Sequence, residues 1–234
     1  MEHPFTWYSF LESFFHPLSG LPEANFTSVV VILLILALAF GFRLAVASAK
    51  DPVIPDDRLG ARNIIELLVE LVVGLSDSII GKKGRKYVSL FGSLFIFILI
   101  ANLLGLVPGF TPPTSNWWAN LGLGLVVFVA YHFYGVRENG PRYFKQFVGP
   151  MLLLAPLFII IEVFSHAFRP MSLSIRLYGN MFGDHLVLEI FSGLTKVVIP
   201  VVFYILGTLV SVIQAAVFTI LSVIYVAMAI SHEH

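Results

Sequence analysis

The apolar positions fall in long uninterrupted runs, the pattern of membrane-spanning helices rather than alternating strands. A crossing takes about 20 apolar residues, and segments 26–49, 87–107 and 117–136 each supply them. No Asp, Glu, Lys or Arg lies between Tyr87 and Val136, and Pro108, Pro112 and Pro113 divide that stretch into two helices joined by a short turn. Segment 61–80 is different. Ile64, Ile65, Leu67, Leu68 and Leu71 recur at helical spacing, and Glu66 and Glu70 stand one turn apart on one side. That pattern predicts an amphipathic helix lying on the membrane surface. Segments 150–191 and 194–230 would be about 60 and 55 Å long as helices. Each is too long for an upright crossing of a hydrocarbon core about 30 Å thick. The polar pair Ser192-Gly193 between them predicts a turn, and so a tilted antiparallel pair in which Pro170 and Pro200 are candidate kinks. With 1–25 as an external N-terminal segment, the expected fold is one all-α integral membrane domain. It has about five transmembrane helices and one surface helix.

Composition strengthens this reading. The chain is 58% hydrophobic and only 12% charged, against about 25% charged in soluble domains. Zero net charge gives no field that would attract nucleic acid, and the lack of cysteine removes disulfides, thiolate chemistry and Cys-based metal sites. The twenty-two Phe suit lipid-facing and packing surfaces and call for no cofactor. Ala47-Ser48-Ala49 resembles a signal cleavage site, yet no Lys or Arg precedes the first run, which therefore reads as a retained helix. Trp117 and Trp118 suit an aromatic belt at the interface. With five crossings, Lys50, Arg58, Arg62, Lys82, Lys83, Arg85, Lys86, Arg137, Arg142 and Lys145 share one side and Lys196 takes the other. The excess of basic residues assigns the cytoplasm to the first side, with the N-terminus outside and the C-terminus inside.

The candidate chemistry centres on Arg176. A guanidinium keeps its charge, and placing it at bilayer depth costs from about 2.5 to more than 10 kcal/mol. Such a residue faces a protein interior, a water-filled cavity or a partner charge. Glu162, Ser165, Arg169, Ser172, Arg176, Asn180 and Gly183 follow the three- and four-residue spacing of one helix face. Asp184 and His185 lie about 12–14 Å beyond the arginine, and Glu162 about 21 Å before it. Gly207, Ser211, Gln214, Phe218, Ser222 and Tyr225 form a matching stripe on the last helix. Lone Ser and Gly in membrane helices are ordinarily packing residues. Tyr131, His132 and His166 read as interfacial, Glu189 and Lys196 as solvated, and Arg169 as either a snorkelling side chain or part of a channel. Arg176, Asn180, Asp184, His185 and Gln214 together point to an ion path.

The run from Arg169-Pro170-Met171-Ser172 through Arg176-Leu177-Tyr178-Gly179-Asn180 to Gly183-Asp184-His185 closely resembles the signature of subunit a of F-type ATP synthases. Asn102-Leu103-Leu104-Gly105-Leu106-Val107-Pro108 and Gln214 extend the resemblance over nearly the whole chain. The resemblance implies a non-catalytic stator subunit in a bacterial plasma membrane. It would pack against a ring of c subunits, with the b-subunit peripheral stalk and the rest of the synthase as further partners, and would provide two offset proton half-channels. It implies that Arg176 faces the ring carboxylate, with Asn180 on the same face and Gln214 nearby. It further implies that His185 occupies a position held by Glu or His in relatives, and that Glu162 belongs to the cytoplasmic-side path. Ser172, Ser211 and Arg169 are accessory candidates. One departure stands out: Gly207 lies where some members carry His or Glu, while Asp184 stands beside His185.

The alternative is a stand-alone secondary transporter or channel, although no internal repeat supports it. A membrane hydrolase would need motifs such as HExxH, GxSxG or a P-loop, and none is present. No cofactor and no metal are expected.

Overall fold

The computed structural model describes residues 6–14, 23–48, 60–144, 155–194 and 198–231. These form α1 (Trp7–Phe14), α2 (Glu23–Ser48), α3 (Ala61–Ile79), α4 (Val88–Leu104), α5 (Trp117–Asn139), α6 (Ala155–Leu194) and α7 (Val198–Ile230). Short 3-10 turns at Lys82–Tyr87, Pro113–Ser115 and Gly140–Phe144 flank α4 and α5. Among the described residues there is no strand, and five helices are long and apolar enough to cross a membrane. The protein is a multi-pass, all-α membrane protein.

α3 is not one of those five helices. Ile64 and Leu67 are exposed on it while Val72 is buried, so it presents apolar surface both outward and toward the bundle. Arg62 closes its first turn by an ion pair with Glu66 at 2.7 Å. α2 is the peripheral helix: Thr27 and Val31 are buried, while Val29, Leu33, Leu36 and Phe40 are exposed. α1 lies in the segment expected only as an external N-terminus. Trp7 anchors it to the turn after α4, its indole Nε1 donating to the Pro108 carbonyl at 3.2 Å and its ring stacking on Phe110.

The core is shared by α4, α5, α6 and α7 through Phe91, Phe95, Ile98, Tyr131, Leu173, Leu177 and Phe218. Close approach of α5 and α6 depends on Gly124. A Cβ there would stand 2.7 Å from both the Pro170 carbonyl oxygen and the Ser174 hydroxyl. Pro170 lies inside the continuous α6, where its missing N–H leaves the carbonyl four residues earlier without its helical donor. Pro200 falls in the first turn of α7, where no intrahelical donor is required. The turn expected at Ser192-Gly193 lies inside α6, which continues to Leu194. One glycine costs a helix only about 1 kcal/mol, which tertiary context readily overrides. Residues 150–154 of the expected helix, and Lys50, Arg58, Lys145 and Lys196, lie outside the described residues.

Of the remaining described loop cations, Arg62 lies in the first turn of α3, while Lys82, Lys83, Arg85 and Lys86 stand where α4 begins and Arg137 and Arg142 where α5 ends. Lys86 pairs with Glu138 across these two helices, and Asn139 Nδ2 donates to the Ala229 carbonyl of α7 at 2.9 Å. The Arg85 guanidinium donates to the Asp77 carboxylate at 2.7 Å, and this hydrogen bond holds Asp77 below the usual carboxylate range. A depressed acid stabilises the fold above its unfolded pKa, and that contribution is lost as pH falls through the lower folded value.

Two outcomes test this packing. Gly124→Leu overpacks the α5–α6 contact and lowers stability by about 1–3 kcal/mol, read as earlier thermal unfolding in detergent. Gly122→Leu, at a position with open space around it, leaves the transition within about 0.5 kcal/mol of the parent. Equal behaviour of the two variants would remove the close-approach argument. For Asp77, carboxyl chemical shifts titrate below about 3.8 in the folded protein, and Arg85→Gln moves that midpoint upward.

Candidate functional site

The helices α6 and α7 are antiparallel and in strict register. Phe191 stacks on Phe203 with ring centroids 4.7 Å apart. Asn180 Nδ2 donates to Gln214 Oε1 at 2.6 Å. The Arg169 guanidinium lies over the Tyr225 ring, 5.3 Å from its centroid. As the numbers fall from 191 to 169 on one helix, they rise from 203 to 225 on the other, residue for residue. At 40 and 33 residues, the helices are about 60 and 50 Å long and keep their apolar length in a core about 30 Å thick only by lying inclined.

Arg176 sits midway along α6, half-buried, on the side that faces out of the bundle. Ser172, Ile175, Gly179 and Asn180 around it are exposed, whereas Leu173, Leu177 and Met181 point into the core. Among the described residues no hydrogen bond or ion pair holds the guanidinium. One turn on, Asn180 and Gln214 bridge the two helices. Gln214 is buried, and its Nε2 has no hydrogen-bond partner among the described residues. Together with Gly179, Gly183, Asp184, Val210 and Ile213 these two amides line a groove of about 400 Å3. Glycine at 179 and 183 leaves this side of α6 open, and the half-buried Asp184 brings a carboxyl group to the groove. Ser211 is buried and Ser172 is exposed, so the two accessory serines occupy different environments.

His185 turns away from that groove toward the turn between α4 and α5. A Cβ on Gly105 would lie 2.9 Å from His185 Nε2 and 2.7 Å from the Pro112 ring, so glycine is required for the imidazole to approach. Gly207 packs against Leu106 of the same turn, where an added Cβ would come within 2.8 Å of the Leu106 side chain. Behind this turn, Thr114 donates to Asn102 Oδ1 at 2.8 Å, Asn120 Nδ2 donates to the Thr114 carbonyl at 2.6 Å, and Ser174 donates to the Asn120 carbonyl at 3.0 Å. The network ties the α4–α5 turn to α6 two residues from Arg176.

Glu162 belongs to a second cluster, nearer the basic end of the bundle. His166 Nε2 lies 3.0 Å from Glu162 Oε1, and His166 Nδ1 lies 2.7 Å from the Tyr131 hydroxyl of α5. Arg169 covers the Tyr131 ring at 5.6 Å. The expectation that Tyr131 and His166 are interfacial is wrong: both are buried. Burial needs polar partners, and each residue supplies the other's. The four-residue spacing of Glu162 and His166 was a readable signal, whereas Tyr131 lies 35 residues away on another helix.

The candidates therefore separate along α6. Glu162 and Arg169 stand with Tyr131 and His166, and Arg176 stands alone on the outward side. Asn180, Asp184 and Gln214 share the groove, and His185 meets the α4–α5 turn. Among the described residues no cluster of three or more His, Cys, Asp or Glu could hold a metal ion.

Comparison with known proteins gives these features a family. The model of the ATP synthase A chain matches residues 26–227. The chain is 46% identical over 193 residues to ATP synthase subunit a of Bdellovibrio bacteriovorus, covering 82% of this chain and 84% of that one. It is 40% identical over 238 residues to ATP synthase subunit a 1 of Syntrophotalea carbinolica, covering 100% of both. ATP synthase subunit a of Citrifermentans bemidjiense is 39% identical over 234 residues, again covering 100% of both chains. With the match spanning the helices that carry both polar clusters, the chain belongs to the ATP synthase A chain family.

Proposed function

We propose that this chain is the stationary ion-translocating subunit of the synthase membrane sector, and that Arg176 separates two offset proton paths at a rotating ring of c subunits. Membership of the family makes it a non-catalytic, multi-pass membrane subunit of an F-type ATP synthase. The finer reading rests on one observation. An obligatory cation stands on the outward face of α6 with no anionic partner among the described residues. Its counter-charge then comes from another chain, and a deprotonated ring carboxylate supplies it. An ionised carboxylate is costly in lipid, so it is stabilised while opposite Arg176 and can leave once protonated and neutral. The fixed positive charge also repels protons, which keeps the two paths from joining.

The outer path in this reading runs through the groove of Asn180, Asp184 and Gln214, with His185 on the flank of α6 that meets the α4–α5 turn. Gln214 Nε2 and the Asp184 carboxyl offer this groove a donor and an acceptor. The inner path passes Glu162, with Arg169 beside it and Ser172 as an accessory residue, while Ser211 stands opposite Gly183 as an accessory residue on the groove side. The two groups of residues lie on opposite sides of Arg176, about 12 and 21 Å away by helix rise. A difference of 100 mV supplies about 2.3 kcal/mol per proton, so several protons drive each ATP formed. The basic end of the bundle, with Lys82, Lys83, Arg85, Lys86, Arg137 and Arg142, supports a cytoplasmic assignment in a bacterial plasma membrane, with the N-terminus outside. The b-subunit peripheral stalk is a further proposed partner.

Arg176→Ala in the assembled complex lowers proton-driven ATP synthesis in vesicles by about 100-fold or more, the scale for losing a preorganised charge at a reacting centre. Near-normal synthesis would end the assignment of its role. Asp184→Asn and His185→Ala each lower proton flux on the order of 10-fold and shift its dependence on outer pH. An unchanged profile in both would move the outer path elsewhere. The chain reconstituted alone in liposomes passes no protons, and flux without a ring would favour a stand-alone transporter.

A further inference from the structure

The Glu162–His166–Tyr131 chain carries more than membership of the inner path. An ionised carboxylate only accepts hydrogen bonds, so His166 donates to Glu162 from Nε2–H across 3.0 Å. In the neutral ring Nδ1 is then an acceptor, and the Tyr131 hydroxyl donates to it across 2.7 Å. The arrangement has the logic of an oriented imidazole, with one neighbour selecting the tautomer that serves the other.

Most of the groups around the ring are cationic or neutral. The Arg169 guanidinium lies over the rings of Tyr131 on α5 and Tyr225 on α7, 5.6 and 5.3 Å from their centroids. His132 of α5 stands 5.1 Å from the His166 ring, centroid to centroid. Its own Nδ1 donates to the Phe128 carbonyl at 2.8 Å. The buried Tyr143 packs edge-on against His132 from the turn after α5. Among these described neighbours, Glu162 is the anionic one, and a positive charge on His166 would face the Arg169 guanidinium. His166 itself is 5% exposed, whereas Glu162 is half-buried and retains access to the outside of the bundle.

We propose that His166 is a positioning residue for the inner path: hydrogen-bonded between Tyr131 and Glu162, it holds the Glu162 carboxylate in one orientation. The proposal rests on the reading of Glu162 given above. No covalent bond changes. A proton arrives on Glu162 and departs to water, and the imidazole keeps its own.

The test is ATP-driven proton pumping in inverted membrane vesicles holding the whole complex, measured against external pH, with the amount of assembled complex determined in parallel. His166→Leu removes the donor. The rate at neutral pH falls about 10-fold, the scale of one hydrogen bond to a charged group, and the pH profile departs from the parent's. Tyr131→Phe removes the hydrogen bond that holds the far side of the ring, and lowers the rate and moves the profile part of the way. His166→Gln, which retains an N–H donor, recovers most of the loss. Glu162→Gln lowers pumping, and adding His166→Leu to it costs nothing further. A parental profile for His166→Leu and Tyr131→Phe at normal assembly would overturn the proposal, as would additive losses in the double variant. Should His166→Leu fail to assemble, Tyr131→Phe and His166→Gln decide the matter alone. Unchanged pumping in Glu162→Gln would instead overturn the reading of the inner path itself.

Discussion

Hydrocarbon gives polar groups nothing to bond with, and this constraint organises the whole molecule. Each buried polar side chain must be answered from another part of the chain. The answers fall mainly on α6. Ser174 is answered by the backbones of α5 and α6, His166 by Tyr131 and Glu162, and Asn180 by Gln214. Arg176 has no such answer among the described residues, and a guanidinium is among the most expensive groups to place at bilayer depth. The arginine instead takes the outward side of α6, where no hydrogen bond or ion pair holds it among the described residues.

The pairing works because α5, α6 and α7 approach closely and in fixed register. Gly124 lets the α5 backbone rest on the Pro170 carbonyl, and Ser174 then reaches the Asn120 carbonyl. On the opposite flank, the ladder of contacts with α7 brings Gln214 to Asn180. The α4–α5 turn is drawn against the far end of α6 by the absence of a side chain at Gly105. Short, specific contacts on three sides thus hold one helix whose fourth side is left open.

Much of this could be read from the chain. The runs that became α2, α4 and α5 are long and free of charge. The amphipathic spacing of α3 set it apart from the crossings. Arg176, Asn180 and Gln214 stood out because each is costly in an apolar context. Other features depend on contacts distant in sequence. Trp7 meets Pro108 across 101 positions, and nothing in the residues around it marks that contact. Tyr131 and His166 looked interfacial because aromatic and imidazole groups ordinarily are, and only the packing of α5 on α6 removes them from the interface. Asp184 and His185 are adjacent in sequence, yet a helix turns by about 100° per residue. One therefore lines the groove while the other meets the α4–α5 turn.

That rotation has a consequence for how this sequence can change over time. The contacts at Phe191, Asn180 and Arg169 match Phe203, Gln214 and Tyr225 one for one. Losing or gaining a single residue between any two of these positions would swing everything beyond it by about 100° and slide it about 1.5 Å. Arg176 would turn toward the core or a neighbouring helix, and the amide bridge would come apart. Substitutions can be absorbed one side chain at a time, but a change in length here cannot. Within these two helices the spacing between residues is therefore inherited as a unit, and variation in length belongs to the connecting segments outside them.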